Sequence, residues 1–306
     1  MYSGDSKNSG SGQLGKYVVI SPVRNEAKFI EQTIQAMVNQ TVQPGEWIIV
    51  NDGSTDETAE IVTRYAALYP WLKSVHRDQR EDKGDRQRGK GVVDTFYFGY
   101  GTLTSRDYEF IIKLDGDVSF EPSYFECLLR QFVSNPKLGI AGGGLYQRSR
   151  TGWKLRSSRD HVSGPAKMYR RACFEAIGGL LPTLGWDGID EWQALALGWE
   201  VRSFSEVKVL HHRAVGQATG LFRCKIEEGY GSHALGYHPL YIIARGIRHM
   251  VRRPYLIGGT AMIMAYFVAC LEGREQFVDS SVIRYIRRTQ LRQLAGLLVG
   301  KRVYKS

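Results

Sequence analysis

Three short apolar runs constrain this chain more than any other feature: KYVVIS (Lys16–Ser21), WIIV (Trp47–Val50) and FIIKL (Phe110–Leu114). Each has the length of a strand, and each leads straight into a polar turn. Runs this short and this continuous suit strands buried on both faces. The stretches between them carry helical periodicity. Ile30, Ile34, Met37 and Val38 share one face of a helix predicted over Ala27–Gln40. Ile61, Val62, Tyr65 and Leu68 do the same in a helix that Asp56 is placed to cap. A strand is predicted over Ser74–His76, helices over Val92–Tyr100 and Tyr124–Val133, and a further strand region from Gly139. Strands alternating with helices predict an α/β fold whose mainly parallel sheet is covered on both sides. In such sheets ligands bind beyond the carboxyl ends of the strands. The acidic turns at Asp52, Asp115–Asp117 and Asp190 would then gather along one rim.

Composition narrows the function. The 306 residues are enough to bury a sizeable core. The four cysteines are far apart with no CxxC pair, which excludes a disulfide scaffold and argues against structural zinc. The net charge of +10 is unevenly spread: residues 1–238 hold 29 basic and 28 acidic residues, residues 239–306 hold 12 and 3. The basic excess therefore belongs to the C-terminal segment. It points to an anionic membrane surface rather than nucleic acid, because no nucleic-acid recognition module is present. Residues 1–15 are Gly/Ser-rich and polar, are expected to be a disordered tail, and carry no secretory signal.

FIIKLDGDVSF places Asp115 and Asp117 at i, i+2 directly after a buried strand. Side chains at that spacing on an extended strand end point the same way. Two such carboxylates repel unless a cation lies between them, and a hard divalent ion with oxygen ligands suits that place. The other reading is a polar turn in which Gly116 supplies an unusual backbone angle. The loop Arg77–Lys90 contains no apolar residue. Its Arg86, Arg88 and Lys90 lie beside glycines ahead of a helix, which suits a diphosphate. Glu81, Asp82 and Asp85 make it equally readable as a solvated loop.

Together, VVISPVRNEAKFIEQTIQAMVNQT, WIIVNDGSTDETAEIV, KLDGDVSF, YRRACFEAIGGL and GWDGIDEW occur in an order that resembles the family 2 glycosyltransferases, over roughly residues 16–215. The resemblance implies a GT-A-like nucleotide-diphospho-sugar fold for residues 16–230 and leaves residues 231–306 as a helical, basic, membrane-associating extension. It implies that Pro22, Arg24, Asn25 and Glu26 frame the nucleotide pocket. Asp52 would accept from the base, Asp56 would hold its turn, Asp115 would lie near ribose and metal, and Asp117 would bind the metal. Ordinary turn and N-cap chemistry is the other reading of Asp52 and Asp56.

Inverting sugar transfer needs a base for the acceptor hydroxyl. GWDGIDEWQ supplies Asp187, Asp190 and Glu191 before a helix. The family shows Glu-Asp here and this chain Asp-Glu, so Asp190 or Glu191 is favoured and Asp187 comes third. Acids that offset a helix dipole are the alternative. In VKVLHHR, the resemblance implies that a histidine completes the metal site, and His211 is the candidate, with a core or surface histidine as the alternative. His212 points differently on an extended strand. His161 would border the acceptor, with Lys167, Arg170 and Arg171 near phosphate.

Pro254–Leu271 is 18 residues without a charge, just short of the about 20 that a spanning helix needs. Arginines flank it on both sides, so a re-entrant or interfacial arrangement is expected, with a buried helix of a soluble or dimeric domain as the alternative. Ile283–Leu298 reads as a basic amphipathic helix. The expected function is metal-dependent (Mn²⁺ or Mg²⁺), inverting transfer from a nucleotide diphosphate sugar, UDP favoured, to a saccharide or lipid-linked acceptor at the cytoplasmic face of a membrane. Two alternatives are a nucleotidyltransferase, which would want glycines that SPVRNEA lacks, and a non-catalytic nucleotide-sugar-binding scaffold.

Overall fold

The structure is a computed structural model and describes residues 14–77, 89–149, 152–158, 160–183, 185–213, 221–251 and 255–298. Its strands are β1 (Tyr17–Val23), β2 (Glu46–Asn51), β3 (Leu72–His76), β4 (Phe110–Leu114), β5 (Val118–Phe120), β6 (Leu138–Ser149), β7 (Gly152–Leu155), β8 (Ala166–Arg170) and β9 (Glu200–His211). Among the described residues they make one sheet in the order β3-β2-β1-β4-β8-β6-β9-β5, with β7 paired to β6.

The first four strands in that order are parallel, as expected. β8 is antiparallel to both β4 and β6, so the sheet becomes mixed beyond β4. The physical reason is the connection. Parallel neighbours need a long crossover, usually helical, and among the described residues between β6 and β8 there is the strand β7 and no helix. β1 also runs two residues further than its apolar run, through Pro22 to Val23. Its register with Val50 and Asn51 of β2 carries it there.

Alternation along the strands builds two cores. Val19, Ile49 and Ile112 face one side, with Ile34 of α1 (Ile30–Val38), Val62 of α2 (Thr58–Ala66) and Leu128 of α4 (Tyr124–Ser134). Val18, Ile48 and Ile111 face the other, with Phe96 of α3 (Lys90–Thr102), Phe174 of α5 (Arg171–Ala176) and Trp192 of α6 (Trp186–Ala196). Both faces are covered, which is why these strands read as continuous apolar runs. Leu68 departs from its expected inward face. α2 ends at Ala66, so the helical period no longer applies to it, and it is exposed.

The C-terminal part is helical: α7 (Leu221–Ala234), α8 (Pro239–Met250), α9 (Ile257–Leu271) and α10 (Ser280–Leu298). The domain boundary expected at residue 230 falls inside α7. α7 and α8 both pack on α9, and α10 packs on α6 and α8. The contacts are close because they are made at glycines. A Cβ on Gly229 would come 2.4 Å from the Met262 carbonyl oxygen, and one on Gly259 would come 2.2 Å from that of Gly246. α9 has 15 residues and is about 22 Å long, short of the ~30 Å apolar core of a bilayer. Among the described residues no helix is long and apolar enough to cross a membrane.

Candidate active site

Because β2, β1 and β4 are parallel neighbours, their carboxyl ends deliver three turns to one rim. The first two are stitched together. The Asp52 N–H donates to the Val23 carbonyl (2.9 Å). Asn25 lies in the left-handed region (φ 52°), and its Oδ1 accepts from the Thr55 N–H at 2.8 Å. The Glu26 N–H donates to Thr58 Oγ1 (2.8 Å). Asp56 accepts from the Ala27 and Thr58 N–H groups, both at 3.1 Å, so turn and helix-start chemistry accounts for it. Burial would raise the Asp56 carboxyl, but these hydrogen bonds outweigh it and hold it low. Asp52 is buried and lies 3.6 Å from Arg77, whose Nη1 also donates to Thr95 at 3.0 Å. Pro22 sits inside β1 opposite Val50.

The Asp115-Gly116-Asp117 turn packs under this frame. A Cβ on Gly116 would come 2.9 Å from Val23 and 3.3 Å from Glu26. Gly116 is not among the described glycines with positive φ, so space, not backbone angle, demands glycine there. The two aspartates take different partners. Asp115 pairs with Lys113, a lysine buried inside FIIKL, whose Nζ also reaches the Gly164 carbonyl at 3.3 Å. Asp117 is buried and accepts from Arg213 Nε (3.0 Å), while His211 Nε2 lies 3.3 Å from its other oxygen. The same Arg213 pairs with Glu26. Burial would raise the Asp117 carboxyl, but His211 and Arg213 outweigh it and hold it below its ordinary range. Burial would lower His211, yet Asp117 beside it raises it.

This donor set fits a divalent cation. Asp117 and His211 offer a carboxylate and an imidazole on one spot, and Mg²⁺-type sites commonly take one or two protein ligands plus substrate phosphates. Among the described residues no group of three or more His, Cys, Asp or Glu side chains is placed to hold a metal by itself. Arg213 holds the two carboxylates of Glu26 and Asp117 together.

The acidic run divides in an unexpected way. Asp190 and Glu191, the favoured bases, are fully buried. Asp190 accepts from Lys167 Nζ (2.9 Å) and the Tyr169 hydroxyl (2.5 Å). Glu191 accepts from the Val162 N–H (2.7 Å), lies 3.2 Å from Lys167 Nζ, and meets His161 at 3.1 Å. Burial pushes the Asp190 carboxyl up, with Lys167 opposing. Both carboxylates are thus shielded from solvent by these partners. Position along the helix separates them: Asp187 lies in the first turn of α6, one turn before Asp190 and Glu191 on the same side, and stays half-buried where the helix begins. A Cβ on Gly164 would come 3.2 Å from Asp187 Oδ2. The Pro165 carbonyl next door accepts from the Asp115 N–H (2.8 Å). Asp187 thus borders the segment that props the DGD turn.

Other expectations land elsewhere. Lys90 is largely exposed on α3 and pairs with Asp94 at 2.7 Å, along the helix. Arg86 and Arg88 lie outside the described residues. Lys167 is in the core rather than near a phosphate. Arg170 donates to the Leu138, Phe132 and Asn135 carbonyls, and Arg171 pairs with Glu175. Arg24 is half-buried, and its Nε and Nη1 are buried with no hydrogen-bond partner among the described residues. His212 turns away from His211 and meets Ser119 Oγ at 2.8 Å.

Two residues went unnoticed in the sequence. Arg213 carries a visible signal, a cation directly after the histidine pair at a strand end. Trp153 carries none. It is 39% exposed on β7, with its ring edge-on to His212 at 5.5 Å, and His212 in turn stacks on Phe29 at 6.1 Å. An exposed aromatic face thus stands at the rim beside Asp117 and His211.

Comparison with known proteins agrees with this geometry. The chain is 21% identical over 238 residues to a poly-beta-1,6-N-acetyl-D-glucosamine synthase of Staphylococcus epidermidis, covering 68% of this chain and 52% of that one. The chain spans 34%, 52% and 41% of the lengths of three curated relatives that it matches. Among solved structures, it resembles the mannosyltransferase PcManGT from Pyrobaculum calidifontis in complex with GDP-Man and Mn²⁺, with TM-score 0.56, 16% identity, and 85% and 88% of the two chains covered. It also resembles S. aureus TarS 1-349 in complex with UDP-GlcNAc, with TM-score 0.53, 14% identity, and 82% and 71% covered. These likenesses show a GT-A-like fold. Residues 18–183 match the family model Glycosyl transferase family 2. That match takes in more than half of the sequence, and the chain belongs to glycosyl transferase family 2.

Proposed function

We propose that this glycosyltransferase moves a sugar, with inversion, from a nucleotide diphosphate sugar to a saccharide or lipid-linked acceptor, at the cytoplasmic face of a membrane and with a divalent cation. The observation that carries the reading is the meeting of Asp117, His211, Glu26 and Arg213 at the carboxyl ends of β1 and β4. Asp52 and the Arg24-Asn25-Glu26 turn would receive the nucleoside, and Asp115 the ribose. A carboxylate there can accept from a uracil imide N–H, which favours a uridine donor. Asp117 and His211 would hold the cation, which neutralises charge on the departing diphosphate. Arg213 would swing its guanidinium from Asp117 toward the same negative charge.

In this reading Asp187, the half-buried acid of the run, takes the role of base, with Asp190 or Glu191 as the alternative. It would accept the acceptor hydroxyl proton while the diphosphate leaves from the opposite face. Asp187→Asn is expected to lower transfer about a hundredfold and leave UDP/Mn²⁺ affinity unchanged by titration calorimetry. Transfer within about twofold of the parent would remove Asp187 from this role. A protein that bound UDP and Mn²⁺ but neither transferred nor hydrolysed any donor would be a scaffold. Trp153 supports a saccharide acceptor, as does the likeness to a polysaccharide synthase. The apolar face of a sugar ring can cover an exposed indole. Trp153→Ala is expected to raise the acceptor KM about tenfold with the donor KM unchanged. Equal shifts in both would place the indole elsewhere in the reaction.

A further inference from the structure

Among the described residues, a run of exposed apolar side chains on the α8–α9 hairpin has no partner in the fold. Leu240, Ile243, Ile247 and Val251 follow one another at spacings of three and four along α8, and they are 58%, 36%, 57% and 75% exposed. That spacing makes one continuous stripe. The opposite side of α8 is fixed by Ile242, which is buried, and by Gly246, set against Ile263 and Gly259 of α9. The stripe is thus the face that the fold does not use. The turn after α8 adds Tyr255, Leu256 and Ile257, and α9 adds Met264, Phe267 and Leu271 on its outward side, all exposed. Few monomeric domains leave so many large apolar side chains together in water.

The charge around the hairpin selects the occupant. The segment that holds it carries nearly all of the chain's net positive charge, 12 basic against 3 acidic residues. Arg248 is exposed on the flank of the α8 stripe. Exposed Arg284, Arg288 and Arg292 recur every four residues along α10. A second copy of this chain would bring the same positive charge to the contact and repel it. A bilayer with anionic headgroups offers apolar depth for the stripe and negative charge for the arginines. Spanning is not required of it: the glycine contacts hold α9 against α7 and α8 on its inner side.

We infer that the α8–α9 hairpin is an in-plane membrane-docking face, with Leu240, Ile247, Val251, Leu256 and Ile257 inserted at the level of the headgroups and upper acyl chains of an anionic leaflet. The inference rests on the membrane-surface reading above and says which face meets the lipid. It also gives a reason for the location: an enzyme held flat on the leaflet meets a lipid-linked acceptor in two dimensions.

The test is flotation of the full chain with vesicles of equal phosphatidylcholine and phosphatidylglycerol, beside pure phosphatidylcholine vesicles. Ile247→Ser/Leu256→Ser changes two exposed side chains, and Leu68→Ser, on the exposed end after α2, is the control. The parent should float with anionic vesicles, more weakly with neutral ones. The double variant should bind at least about tenfold more weakly and the control like the parent. Light scattering should show that the oligomeric state does not depend on Ile247 and Leu256, and donor hydrolysis in solution should be unchanged by the double substitution. Flotation of the double variant equal to the parent would overturn the choice of face and leave membrane binding in place. A parent that floats with neither vesicle would overturn the membrane reading and leave the glycosyl-transfer reading untouched. A parent that floats with neither and dimerises through these two residues would make the hairpin a self-association surface.

Discussion

Asp117→Asn is expected to reduce sugar transfer about a thousandfold while the protein still melts cooperatively. The substitution keeps the side-chain volume and an acceptor oxygen but deletes the charge. That charge stands buried between His211 and Arg213, which hold it ionised against its burial. In the proposed reaction a cation held there would lose a carboxylate ligand, and the departing diphosphate would lose counter-charge. Arg213 keeps its second partner, Glu26, so the fold loses one hydrogen-bonded contact and not the whole cluster. The measurement is transfer at saturating Mn²⁺, beside thermal melting and Mn²⁺ affinity by calorimetry. Activity above about a tenth of the parent's, with Mn²⁺ affinity unchanged, would falsify the assignment.

Lys167→Met should cost about 3–5 kcal/mol of stability and lower Tm by roughly 10 °C. Lys167 is fully buried, and its ammonium donates to Asp190 (2.9 Å) and to the Asp187 carbonyl (2.6 Å), with Glu191 at 3.2 Å. Removing it strands two carboxylates in an apolar setting. Burial of a lysine favours its neutral form, but the three acids around it raise its proton affinity, so the ammonium is the form that the site keeps. The triple variant Lys167→Met/Asp190→Asn/Glu191→Gln should recover much of the loss, because no uncompensated charge remains. Denaturant melts of the three proteins decide it. A Tm for Lys167→Met within about 2 °C of the parent would show that the pairs hold no structural weight.

The donor-side architecture was legible because it is local and parallel. KYVVIS, WIIV and FIIKL are strands whose apolar runs state their burial directly, and each polar turn after them falls on the rim that parallel pairing creates. The far half was harder to read. β8 carries Lys167 and Tyr169 in an antiparallel strand whose place between β4 and β6 depends on long-range pairing. The acids of GWDGIDEWQ show the limit within a site. Their residue types announce acid–base chemistry, but Lys167 and Tyr169 of β8 bury Asp190 further along α6, while Asp187 in its first turn stays half-buried. Arg213 was hidden differently: its partners Glu26 and Asp117 are 187 and 96 residues away in the chain. Trp153 shows itself only when β7 folds back on β6 beside β9.

The placement of β8 has a mechanical effect. Its backbone is hydrogen-bonded to β4 on one side and β6 on the other, so the half holding Asp52 and the half holding His211 belong to one sheet. Closing two lobes against each other would have to break these strand pairs, so a change of substrate preference is most readily made in the segments that connect the strands at this rim.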